Sequence, residues 1–332
     1  MPGNDDPEGC FLEVSLNYPK ELHQKHNSYP LAVEKMYVDS TMLSPETANI
    51  AKTTKLSQRP RVKKLVPNLY NKSNYILHSR NLKFYLEQGM KLEKIHRGVK
   101  FSQKPFLADF ILFNTAMRKG AGSDFARGLW KMANNSVFGK NLEDQRRHSK
   151  IKVIMGEAKL AKIMNKPWVK QVKIINSRLA LVEVVKEKVT LNKPIYVGAA
   201  ILDLSKLVMY DFHYNYMVKK YGESQQLLFT DTDSLCYKVE CPDIYEDIRL
   251  DRDKYFDTSN YNPLHKAFFE DNKKKLGTFT DETGGVPIIE FVGLKPKLYA
   301  FICEDNYTKI TAKGVVKATN RTSLKFSIFL LN

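Results

Sequence analysis

The apolar positions of the chain recur with two periods, and each marks a different kind of element. Alternation at every second residue, the mark of a strand with one face inward, runs through residues 10–19 and returns around Thr230-Asp231-Thr232-Asp233-Ser234, where Leu235, Tyr237 and Val239 share a face. The second stretch predicts a β-hairpin over 227–239 whose polar, acidic centre is too short to be core. Residues 75–101 predict a strand, then a helix with Leu82, Leu86 and Met90 on one face, then a strand in which Val99 and Phe101 alternate. Fourfold spacing of Leu204, Val208, Phe212 and Tyr216 predicts a helix closed by Gly222, its apolar face packing on the sheet that bears the aspartates. Gly120, Gly122 and Ser123-Asp124 predict a loop and an N-cap, followed by a helix over 125–137 that stops at Gly139. Residues 286–302 read as apolar strands around Lys295, Lys297 and Tyr299. Residues 52–63 read as a basic, proline-punctuated loop. Residues 150–189 are basic and mixed, with Trp168 as a packing residue and no chemistry to name. Residues 241–282 read as an acidic, turn-rich surface excursion.

Composition narrows the partners. A chain of 332 residues with 43% apolar and 11% aromatic content can bury a substantial core. Lys and Arg outnumber Asp and Glu by 53 to 36, and a charge of +17 favours polyanions through phosphate neutralisation and counterion release. Nucleic acid is the first such partner and an acidic membrane surface the competing one. No stretch approaches the roughly 20 apolar residues of a membrane span, and Asn4, Asp5, Asp6 and Glu8 make the start acidic where a signal peptide would be basic. An intracellular protein is expected. Cys10, Cys236, Cys241 and Cys303 form no C-x-x-C pair, so reduced thiols and no structural metal are expected.

Two sets of residues carry candidate chemistry. Asp231 and Asp233, two apart on a strand, can project to one side and hold a hard divalent cation between carboxylates, although D-x-D in a turn also reads as an Asx-turn. Arg127, Lys131, Asn135 and Phe138 recur at i, i+4, i+8 and i+11, on one helix face along which a triphosphate could lie, Lys131 as a point charge and Phe138 as a flat surface for a base. An amphipathic helix with solvated Arg and Lys is the plainer reading. Arg118 and Lys119 are weaker phosphate candidates, a solvated pair being the alternative. His23 and His26, with no third ligand of suitable type nearby, read as surface or core histidines.

In order and spacing, Lys131-x-x-x-Asn135-Ser136-x-Phe138-Gly139, Phe229-Thr230-Asp231-Thr232-Asp233-Ser234 and Lys297-x-Tyr299 resemble the motifs of family B DNA polymerases. The wording between them is most similar to the protein-primed polymerases of Polinton (Maverick) mobile elements, over about residues 11–316, and takes in stretches such as Lys64-Leu65-Val66-Pro67-Asn68-Leu69-Tyr70. The resemblance implies an α+β right-hand palm, an antiparallel sheet with packing helices, together with helical fingers and a truncated thumb. It places palm at 1–50 and 151–302, an insertion contacting a priming protein at 51–110, fingers at 111–150, and a thumb remnant with a divergent tail at 303–332. Lys313-Gly314 fits a basic turn near the duplex, with a solvated loop as its alternative. The preceding exonuclease domain and most of the thumb are expected to be missing.

The implied activity is template-directed addition of deoxynucleotides, using two Mg²⁺ ions, or Mn²⁺, about 3.5–4 Å apart. The resemblance makes Asp233 the principal ligand and Asp231 its helper. It has Lys131, with Asn135 and Phe138 of the same motif, bind the nucleotide, Arg127 joining them by its place on the helix face, and sets Lys297, Tyr299 and Lys313 against DNA. In the first motif Tyr18-Pro19 match, Tyr18 packing under the sugar of the incoming nucleotide. The motif's aspartate is replaced by Glu13 in a gapless alignment or by Ser15 in the Polinton-like wording. Glu13 is the substitute ligand, a methylene too long for comfortable octahedral geometry, and serine supplies no anion. Primer-template DNA, dNTPs and a terminal priming protein are the implied partners, and the nucleus the location for a eukaryotic element. An inactive nucleic-acid-binding remnant, and a metal-dependent nuclease built on the same carboxylates, are the alternatives.

Overall fold

A computed structural model of the chain describes residues 6–53, 62–186, 188–295 and 297–313. Residues 54–61 of the basic loop, Gly314 and the tail 319–332 lie outside the described residues. The fold is mixed α+β with several small, mostly antiparallel sheets. It divides into two compact units, residues 1–107 with 203–332, and residues 108–202. Residues 151–202 thus share one unit with 111–150.

In the first unit the strand Glu8–Asn17 lies between Lys72–His78 and Lys91–Ser102, antiparallel to both. Its alternation sends Val14 and Leu16 into the core and leaves Glu13, Ser15 and Asn17 on the other face. The helix Ser79–Glu87 starts where His78 Nδ1 accepts the Arg80 N–H, and it buries Leu82, Phe84 and Tyr85. Tyr210 and Tyr214 complete that core. The helix that carries them begins at Ile195, nine residues before the first apolar position of the predicted pattern, and widens at Phe212–Met217 into a π-helical turn. The wider turn buries Phe212, His213, Tyr214, Tyr216 and Met217 together, a set too broad for one α-helical stripe. Phe212 and Tyr216 of the predicted face pack against Leu235, Tyr237 and Val239 of the aspartate hairpin, whereas Val208 is exposed, and Gly222 ends the helix with φ +54°.

Residues 241–282 correct the reading of an acidic surface excursion. Asp243 caps the helix Ile244–Tyr255 by accepting the Tyr245 and Glu246 N–H groups. Ile248, Tyr261 and Ala267 form a small core of their own. Asp257 is buried and accepts the N–H groups of Ser259 and Lys274, so acidic side chains serve here as internal anchors. Strands Ile288–Lys295, Leu298–Cys303 and Thr308–Ala312 form an antiparallel sheet whose Tyr299, Phe301 and Cys303 pack with Phe229.

The second unit opens with the helices Ala108–Gly120 and Asp124–Asn141, joined through Ser123, which caps the latter by accepting the Ala126 N–H. Buried Asn114 donates to Asn134, and Asn134 to Thr115, tying the pair together. The second helix runs through Gly139, where a stop was predicted, and ends when the Leu142 N–H meets the Phe138 carbonyl. Residues 149–185, for which the sequence names no element, form a sheet in the order Ser149–Met155, Leu179–Val185, Val169–Asn176, with a helix Glu157–Met164. Ala180, Val182 and Val184 are its buried residues. Trp168 is half-buried, not a core residue. Among the described residues no helix is long and apolar enough to cross a membrane.

Candidate functional site: the aspartate hairpin

Strands Gln225–Asp231 and Ser234–Val239 pair with Asp231 opposite Ser234, which leaves Thr232 and Asp233 to make the turn. So tight a reversal needs a left-handed residue, and Thr232 supplies it at φ +58°, a conformation that costs a β-branched residue on the order of 1–2 kcal/mol. The Asp233 N–H bonds back to the Asp231 carbonyl at 2.6 Å, and the Asp233 side chain is exposed.

Sixty-six residues further on, Lys297 turns the chain between two strands at φ +61° and sets its Nζ 2.5 Å and 2.7 Å from the two carboxylate oxygens of Asp231. Two residues before Asp231 and two after Lys297, Phe229 and Tyr299 stack with centroids 4.4 Å apart. Phe229 and Asp231 share a face of one strand, so the ring stack and the ion pair together fix the hairpin against the strand that carries Tyr299. The Lys313 N–H donates to the Lys297 carbonyl at 3.0 Å, which brings exposed Lys313 to the same edge. The structure therefore gathers Asp231, Lys297, Tyr299 and Lys313. Tyr299 corrects its expected role: at 8% exposure its ring belongs to the core and offers little to a DNA strand.

Glu13 does not join this group. Its carboxylate accepts from Arg97, its register partner on the neighbouring strand, while Ser15 Oγ lies 2.8 Å from His96 Nε2. The outward face of the first motif is thus spent on cross-strand pairs. Tyr18 also departs from expectation. It is 3% exposed, with its hydroxyl 2.8 Å from His26 Nδ1 and accepting the Leu31 N–H, and burial pushes the phenol up to about 12. An enclosed ring presents no open face to a sugar.

The oxygen donors are of the kind Mg²⁺ favours, and two of the three candidate ligands are ion-paired. Both oxygens of Asp231 face an ammonium and Glu13 faces a guanidinium. Among the described residues no three His, Cys, Asp or Glu side chains converge as a metal-holding group.

In the second unit Lys131 and Asn135 are exposed and Phe138 is half-buried on the helix Asp124–Asn141. Arg127 is turned toward its own helix start, donating to Asp124 and to the Ala121 carbonyl, so it leaves the row predicted for it. Arg97, His96 and His26 are the partners that sequence reasoning missed. For Arg97 and His96 the signal was opposite charge and hydrogen-bonding type on neighbouring strands, legible only once the register is known, whereas His26 sits on the short helix His23–His26, eight residues after Tyr18. Compared with protein-family models, with curated proteins and with solved structures, the chain matches none.

Proposed function

We propose that the chain is the palm-and-fingers core of a DNA-directed DNA polymerase of the protein-primed family B type, acting on a primer-template with dNTPs. The observation that supports this reading best is the meeting of two motifs 66 residues apart, the Asp231 hairpin and the Lys297-x-Tyr299 strand, through an ion pair and a ring stack. Chance likeness of short motifs gives no reason for them to meet in space. In this reading the hairpin and Lys313 face the primer end, and Lys131 and Asn135 the triphosphate.

A second reading, an inactive nucleic-acid-binding remnant, is favoured by a different observation. The ligand that should complete the carboxylate set, Glu13, is neutralised by Arg97.

Primer extension with four dNTPs, in Mg²⁺ and separately in Mn²⁺, separates the two. Asp233 is exposed in a turn, so Asp233→Ala keeps the fold, and we expect it to reduce extension by at least about a hundredfold. Equal extension by the variant refutes the site. No extension by the parent chain, with salt-sensitive DNA binding intact, selects the remnant. Degradation that needs Asp233 but not Lys131 selects a nuclease.

A further inference from the structure

The charge of the chain is unevenly held. Residues 108–202 carry 18 Lys and Arg against 7 Asp and Glu, an excess of 11 out of the chain's 17. Within that unit, one end of the three-stranded sheet forms a cleft of about 270 Å³ lined by Lys150, Lys152, Trp168, Val184, Val185 and Lys186. Register explains the grouping. Lys150 and Lys152 lie opposite Val184 and Val182, so they share a face with the buried valines, and Trp168 is fixed beside them where its carbonyl accepts the Val185 N–H at 2.9 Å. The Lys166 ammonium stands over the indole, 5.5 Å from its centroid, as a further cation beside the cleft. None of the lining residues is acidic.

Four ammonium groups, three lining the cleft and that of Lys166 over the half-buried indole, match a ligand that is anionic along its length and flat at intervals. We infer that this cleft binds single-stranded nucleic acid, with phosphates on Lys150, Lys152 and Lys186 and a base stacked on Trp168. Single-stranded chains expose their base faces, whereas a duplex hides them in its stack, so the indole selects the former. The inference stands on this unit alone and does not depend on the polymerase reading.

The test uses the full chain in a Trp130→Phe background, which leaves Trp168 as its one indole. Titration with an oligothymidylate is expected to quench that fluorescence. Trp168→Ala should weaken binding, followed by anisotropy of a labelled oligonucleotide, roughly five- to a hundredfold. Lys150→Gln, Lys152→Gln and Lys186→Gln together should make the plot of log affinity against log salt shallower by about 2. These lysines are on the surface, and circular dichroism checks that the variants fold. Absence of quenching, or parental affinity and salt slope in both variants, overturns the assignment. Equal quenching by heparin, by duplex or by a single dNTP also overturns it, in favour of a general polyanion, duplex or mononucleotide site.

Discussion

His26 and His213 are fully enclosed, and each makes the same incomplete bargain with water. Each holds Nδ1 against a tyrosine hydroxyl, Tyr18 at 2.8 Å and Tyr237 at 3.0 Å, and each leaves Nε2 buried with no hydrogen-bond partner. Burial lowers both imidazoles from 6.5 to about 4, helped for His26 by Lys25, His213 and His23. The unfolded chain therefore takes up these protons first. Stability from this source is full above pH 6.5 and is lost as pH falls toward 4, by up to about 3 kcal/mol per histidine. Urea midpoints between pH 7 and pH 4.5, a window mostly above carboxylate titration, should show the fall, and His213→Phe should show a distinctly smaller one. Neither histidine's burial was legible from its neighbours in sequence. The same holds for Glu13, whose partner Arg97 stands 84 positions away and becomes visible only through strand pairing.

Local pattern was a better guide to elements than to their partners. The hairpin, the strand near the start, the helix after Ser123 and the strand-helix-strand of 72–102 all follow from periodicity and capping residues that act within a few positions. The π-helical turn did not follow, since it depends on how many aromatic side chains the surrounding core accepts. The sheet at 149–185 was missed for a different reason. Ile151, Val153 and Met155 do alternate, but they are the exposed face, and Lys150 and Lys152 on the inward face disguise the strand.

Two glycines read as helix stops also part company here. Gly222 closes its helix at φ +54° and ψ −122°, where a Cβ is strained, while Gly139 lies inside a helix with open space around it. Thermal or urea unfolding should find Gly222→Ala destabilising by about 1–3 kcal/mol. Gly139→Ala should instead stabilise by about 0.5–1 kcal/mol.

At the scale of the molecule, one unit is continuous in sequence and the other is not. Residues 108–202 are contiguous, whereas the first unit is assembled from 1–107 and 203–332. Its core depends on this, because Leu16, Leu77, Leu82 and Tyr85 pack on Tyr210 and Tyr214. On a ribosome the order of emergence becomes a matter of time. With synthesis at about 5–20 residues per second, the sheet around the first motif waits roughly 6–25 s after Tyr85 before Tyr210 is made. Through that interval its apolar face has no native cover, while the contiguous unit can already close. Nascent chains arrested near residue 240, by which point the tunnel has released the strand Leu179–Val185 but still holds Tyr210, should resist protease only within 108–202, and chains arrested beyond residue 260, by which point the tunnel has released Tyr214, should gain protection of the first sheet as well. The interrupted first unit is thus the stretch of this protein most in need of a chaperone during synthesis.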